Sequence, residues 1–243
     1  MAAAICVPPA EAAEPDYCGY SERFTVVAID RTQRLDDHDR DILLEGLGKV
    51  FDSLEAGERV LMRTIAGRHT DSETLFDACY PGCPDEGLLG SFLGSCSSMR
   101  ARGDRTRFQQ ALVSRAKDLL NTDQAHVHSD ILLTLAATAS TLRDSGRLPT
   151  RWTIFSDMLE NSPALPWPRV LDASAGDLTD IPASAGMTPR FDGSSVDIFG
   201  FGRLHSPGRP ALADAQRGHL VSLWRSYFAA LGASRVRIGQ RLP

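Results

Sequence analysis

The stretch Phe24-Thr-Val-Val-Ala-Ile-Asp30 constrains this chain more than any other. Its first six residues carry no charge and are rich in β-branched side chains. A half-exposed strand alternates apolar with polar residues, and this run does not, so both of its faces need cover. A central strand of a parallel sheet, with helices on either side, supplies that cover. The run then ends in an acid, and in such sheets ligands gather beyond the carboxyl ends of the strands.

The rest of the chain keeps the matching rhythm. Asp36, Asp37 and Asp39 suit a helix N-terminus. Ile42, Leu43, Leu47, Val50, Phe51 and Leu54 recur at helical spacing, and Gly57 ends that helix. Val60–Ile65 predicts a second strand, and residues 72–79 a third, more exposed one. Helical stripes follow over Phe108–Leu120 and from Ser129, the latter closed by Gly146 and Pro149. Trp152–Phe155 and Val196–Phe201 predict two more strands. Residues 161–192 read as loops with one short helix near Val170. Pro210 suits the first turn of a last helix bearing Leu220, Leu223, Trp224, Tyr227 and Phe228, and Arg235–Ile238 a final edge strand. The expected fold class is α/β: a doubly wound, mostly parallel, Rossmann-like sheet with helices on both faces. Residues 1–22 are expected to be a flexible N-terminal arm, tied down near its end by Tyr17 or Tyr20, and residues 23–243 a single domain with an irregular insertion at 80–107.

Composition narrows the function. There are 26 Lys and Arg against 31 Asp and Glu, a net charge of -5, which disfavours a nucleic-acid wrapper. The five cysteines, Cys6, Cys18, Cys79, Cys83 and Cys96, are odd in number and sparse, and read as free cytosolic thiols. The first twenty residues lack the basic start and long apolar run of a secretion signal, and no stretch of 18 apolar residues suits a membrane span. A cytoplasmic protein without membrane contact is the expectation.

Two predicted strands end in aspartate, Asp30 and Asp157. Thr32 and Ser156 lie beside them in sequence, and Ser129-Asp130 opens a helix. If these strands are neighbours, two carboxylates and several hydroxyls share one rim. That oxygen-only set suits Mg²⁺ or Mn²⁺ better than zinc. The competing account is local: Asp30 caps a loop and Ser129 caps a helix. Cys79, Cys83 and Cys96, with His69, are a weaker candidate set for zinc. His126 and His128 flank Val127 just before the Ser129 helix and are candidates for a base or a ligand at the same rim. Arg100, Arg102, Arg105 and Arg107 form a basic segment. No GxxxxGK, GxGxxG or GxSxG pattern occurs, so neither nucleotide binding nor a serine nucleophile elbow is supported.

The order of elements resembles a von Willebrand factor type A (VWA) domain, over about residues 23–240. The matching residues are Asp30 and Thr32 in Asp-Arg-Thr-Gln-Arg, Ser129 in His-Ser-Asp-Ile, and Asp157 in Ile-Phe-Ser-Asp-Met. The resemblance implies a Rossmann-like sheet with a metal-ion-dependent adhesion site. Thr32 and Ser129 would touch the ion, Asp30 and Asp157 would bind largely through water, and an open position would accept a partner protein's acidic side chain. The chain departs from the pattern at two places: Arg34 stands where a second hydroxyl is usual, and Met158 where glycine is usual. The leading expectation is a protein-interaction module, an adaptor in a multi-protein bacterial system, binding a partner's acidic group through Mg²⁺. One alternative is a metal-dependent hydrolase of phosphoesterase type at the same rim. The other is a metal-free structural subunit with a decayed site, in which Arg34 bridges Asp30 and Asp157.

Overall fold

A computed structural model describes residues 16–84, 96–120, 127–202 and 212–242. Six strands form one sheet: β1 (Phe24–Asp30), β2 (Arg59–Ile65), β3 (Thr74–Cys79), β4 (Arg151–Phe155), β5 (Ser195–Phe199) and β6 (Arg235–Ile238). Their spatial order is β3-β2-β1-β4-β5-β6. All neighbours pair in parallel except β2 and β3. The strand order reverses at β1 and β4, which lie side by side at the centre. This is the doubly wound α/β architecture that the both-faced apolar run of β1 requires.

The helices among the described residues are α1 (Asp37–Asp52), α2 (Ser98–Leu120), α3 (Ile131–Asp144), α4 (Ala175–Ser184) and α5 (Asp214–Ala230). Every residue of β1 is buried, and alternate side chains enter two separate cores. Val26 and Ala28 join the larger core with Trp152, Ile154 and the apolar faces of α3 and α5. Val27 and Ile29 join the other with Phe155, Phe199 and the faces of α1 and α2. Helix α1 comes so close to the sheet at Gly46 that a Cβ there would sit 2.4 Å from the Phe199 ring. The acids at its start behave as expected: the Asp36 carboxylate accepts the Asp39 N–H at 2.8 Å. Gly57, at φ +83°, turns the chain into β2 against the backbone of Tyr17 and Ser21, where a side chain would have no room.

Two expectations need correction. The thiols are not free: Cys18 pairs with Cys79 and Cys83 with Cys96, which also removes the proposed zinc ligands. Cys6 lies outside the described residues, as do the apolar turn at 88–93, His126 and Pro210. The segment expected as an arm carries a 3₁₀ turn at Tyr17–Tyr20, held to β3 by the first disulfide and to α2 by the Tyr17 hydroxyl, which donates to Asp104 at 2.6 Å. The insertion expected to be irregular through residue 107 is helical from Ser98, because α2 starts ten residues before its apolar stripe does. The arginines of that segment lie on the first turns of α2, and Arg105 stacks on the Tyr80 ring at 5.0 Å.

Candidate functional site at the carboxyl rim of β1 and β4

Parallel pairing sets the site. Ile29 is level with Phe155, so the next residues, Asp30 and Ser156, face each other where β1 and β4 end. Both continue the parity of Val26, Ala28, Trp152 and Ile154, whose side chains enter the larger core. The Ser156 hydroxyl donates to Asp30 Oδ2 at 2.7 Å and accepts the Met158 N–H at 2.9 Å. Its single proton is thereby committed to Asp30.

The other carboxylate oxygen orders the loop after β1. Asp30 Oδ1 accepts the Thr32 N–H at 2.9 Å and the Thr32 hydroxyl at 2.6 Å. The Thr32 and Ser129 hydroxyls share a hydrogen bond of 3.0 Å. The Thr32 hydroxyl is the donor in both contacts, so its single proton is shared between Asp30 Oδ1 at 2.6 Å and Ser129 Oγ at 3.0 Å. Asp30, Thr32, Ser129 and Ser156 thus form one continuous network, and all four are buried. Of the expected ligands Asp30, Thr32, Ser129 and Asp157, the first three are joined by these hydrogen bonds, and Ser156 is joined with them.

Asp157 follows Ser156 and is also buried. Its Oδ1 accepts the Leu159 N–H at 2.9 Å, and its carbonyl accepts the Gly202 N–H at 3.2 Å. It stands at the same strand end as Ser156, one residue along. Met158 then adopts φ +59°, in the left-handed region, and is fully buried. Trp224 Nε1 donates to its carbonyl at 3.0 Å. Glycine reaches this conformation without strain; a methionine held there marks a turn fixed by its surroundings.

The start of α3 is held from two sides. Ser129 and Asn161 exchange backbone hydrogen bonds at 3.0 and 2.9 Å, joining the loop after β4 to the helix entry. The Asp130 N–H donates to the Ala66 carbonyl at 3.1 Å, and Asp130 Oδ2 accepts the His69 N–H at 2.9 Å and lies 3.1 Å from His69 Nδ1. Asp130 therefore clamps the β2–β3 connection through Oδ2, while its buried Oδ1 has no hydrogen-bond partner among the described residues. Glu160 Oε2 accepts the Leu132 N–H at 2.8 Å, in the first turn of α3. Burial pushes the Glu160 carboxyl up to about 8; the Ser162 hydroxyl and the Leu132 N–H pull against this, and the charge of Asp130 adds to it. Sequence reasoning missed Glu160, although an acid five residues beyond a buried strand is the one signal it offered.

The remaining candidates fall away from the network. His128 is exposed. Arg34 is exposed as well, and among the described residues Asp30 bonds Thr32 and Ser156.

The donor set suits a hard cation. It consists of carboxylate and hydroxyl oxygens, and Asp30, by accepting the Thr32 proton, fixes the orientation of that hydroxyl. Because Asp30 already accepts three hydrogen bonds, its share in holding an ion would run through water. Among the described residues no group of three or more His, Cys, Asp and Glu side chains is placed to hold a metal, so an ion here would depend on the hydroxyls.

No protein-family model matches the chain, and no curated protein matches it. Among solved structures it is similar to the VWA domain of SpRpn10, with a TM-score of 0.43 and 11% identity over 89% of this chain and 88% of that one. It is also similar to a von Willebrand factor type A protein from Catenulispora acidiphila, with a TM-score of 0.42 and 15% identity over 89% of this chain. The match spans 38% of that second protein.

Proposed function

We propose that this protein is an interaction module whose carboxyl rim captures an acidic group of a partner protein, with Mg²⁺ or Mn²⁺ held between. Thr32 and Ser129 would ligate the ion directly, and Asp30 and Asp157 through water. The bound ion would supply a positive centre with a position left for the partner's carboxylate. The observation that carries this reading is the 3.0 Å contact between the Thr32 and Ser129 hydroxyls, 97 residues apart in sequence, with Asp30 orienting Thr32. Helix caps alone would not require these two hydroxyls to meet.

The two disulfides support an oxidising compartment and weigh against the cytoplasmic expectation. Among the described residues, no helix is long and apolar enough to cross a membrane.

The test is Mn²⁺ binding to the whole chain, followed by electron paramagnetic resonance, for wild type and Asp30→Asn. Saturable binding that Mg²⁺ displaces and D30N abolishes supports the reading. Equal Mn²⁺ signals from the two proteins overturn it.

A further inference from the structure

A second feature lies away from the rim's oxygens, where β2 runs beneath α3. Arg63 projects from the sheet face that carries Leu61 and Ile65, on the α3 side. Its Nη1 donates to Thr138 Oγ1 at 3.4 Å and its Nη2 to the Ser72 carbonyl at 3.2 Å. Its Nε is buried and has no partner. Among the described residues, no carboxylate lies within ion-pair distance of it.

This sets Arg63 apart. The half-buried arginines Arg23, Arg31, Arg40, Arg59, Arg143, Arg151 and Arg237 each face an acid. Arg105, also half-buried, rests on the Tyr80 ring. Arg63 has neither an acid nor a ring. Desolvation, with no opposing charge, draws its guanidinium below the usual value. A guanidinium withdrawn from water normally gains a counter-charge, because an uncompensated buried charge is costly.

The neighbours are hydroxyls. Ser72 Oγ and Thr134 Oγ1 lie 3.2 Å apart and share one hydrogen bond. Two hydroxyls hold two protons, so one proton of the pair remains to donate. Thr138 gives its own proton to the Thr134 carbonyl at 2.8 Å, which leaves its oxygen to accept from Arg63. A fixed cation beside a spare hydroxyl proton, with no carboxylate of the described residues paired to it, is a receptor for negatively charged oxygen.

We propose that Arg63, with the Ser72–Thr134 hydroxyl pair, binds an oxyanion at the edge of the sheet between β3 and α3. The guanidinium supplies the charge and the planar donor fork, and the hydroxyl pair supplies one further donor. The ligand chemistry is a phosphate- or carboxylate-type oxygen. Its source is either a free inorganic anion or an acidic side chain of a partner. The site does not depend on a metal at the rim.

The experiment follows thermal unfolding of the whole oxidised chain in phosphate, sulfate and acetate, each matched for ionic strength with chloride. Wild type should gain about 2–4 °C in Tm as phosphate passes through saturation, and Arg63→Met should gain nothing. Asp30→Asn should respond as wild type does, which separates this site from the rim. A response to phosphate and sulfate alone assigns a free tetrahedral anion. A response that extends to acetate assigns a carboxylate of a partner. Amide NMR of wild type under phosphate covers the case in which R63M fails to fold: shifts should concentrate at Ser72, Thr74 and Thr138. No anion-specific shift in wild type, an equal gain in R63M, or NMR changes elsewhere overturns the proposal.

Discussion

Asp30 and Ser156 sit on adjacent parallel strands, one residue past the last paired rung, and the Ser156 hydroxyl reaches the Asp30 carboxylate at 2.7 Å. That bond ties β1 to β4 where the sheet's strand order reverses. It also fixes which Asp30 oxygen is left for Thr32. The candidate site thus rests on register: sliding β4 by one residue would turn Ser156 to the other face and leave Asp30 with Thr32 alone.

Replacing Asp30 by Ala should weaken the fold as well as the site. The change leaves the Thr32 N–H, the Thr32 hydroxyl and the Ser156 hydroxyl without their acceptor in a buried place. A loss of about 1–3 kcal/mol is expected, the range for stranding buried donors. Urea unfolding checks it through a lower midpoint at unchanged slope. A midpoint equal to wild type would mean that water replaces the carboxylate without loss.

Met158→Gly sets two effects against each other. Glycine relieves the left-handed backbone, worth about 1–2 kcal/mol. It also deletes a fully buried side chain, a class of change that costs about 2–5 kcal/mol. Packing should win, so M158G should be less stable by about 1–3 kcal/mol. Denaturant titration decides the sign, and a more stable variant would show that strain outweighs packing here.

Glu160 makes stability fall with rising pH. Its carboxyl keeps its proton in the folded chain up to about 8, whereas the unfolded chain releases it near 4.5. Below about pH 4.5 both states are protonated and there is no penalty. Between about 4.5 and 8 the folded state holds the extra proton, so stability declines with pH, by at most a few kcal/mol in total. Glu160→Gln keeps the acceptor for Leu132 and cannot ionise. It should match wild type near pH 5 and exceed it near pH 8. Parallel stability curves for the two proteins would remove Glu160 as the cause.

The two disulfides should contribute unequally. Cys18–Cys79 spans 61 residues of sequence and Cys83–Cys96 spans 13. Loop-closure entropy assigns about 4 kcal/mol to the first and about 3 kcal/mol to the second. Paired Cys→Ser replacements, unfolded in guanidinium without reductant, should preserve that order. A larger loss from the shorter loop would point to structure that the second link holds in the folded state.

Burial on both faces left a strong local mark at β1, which coincides with Phe24–Asp30; the edge strand β6 coincides with Arg235–Ile238, although none of its residues is buried. The first ten residues of α2 were not legible. Among them only Ala101 is buried, so four arginines hid the helix. Helix α4 escaped because its stretch is made of small residues and contains Pro182. The pairing of Cys18 with Cys79 is a contact between a turn and an edge strand, which spacing alone does not encode. At the rim, the identities of Asp30, Thr32 and Ser129 were readable from their places at element ends. The roles of Ser156, Asp130 and Glu160 were not, because each acts on an element distant in sequence.

The paired backbone rung between Ser129 and Asn161 has a mechanical meaning. Asn161 also binds the Val127 carbonyl through its side-chain amide and accepts the Trp167 N–H on its side-chain oxygen. One residue therefore couples the 161–167 segment to the approach to α3. Loss of the Asn161 side chain would therefore release both the approach to α3 at Val127 and the 161–167 segment at Trp167.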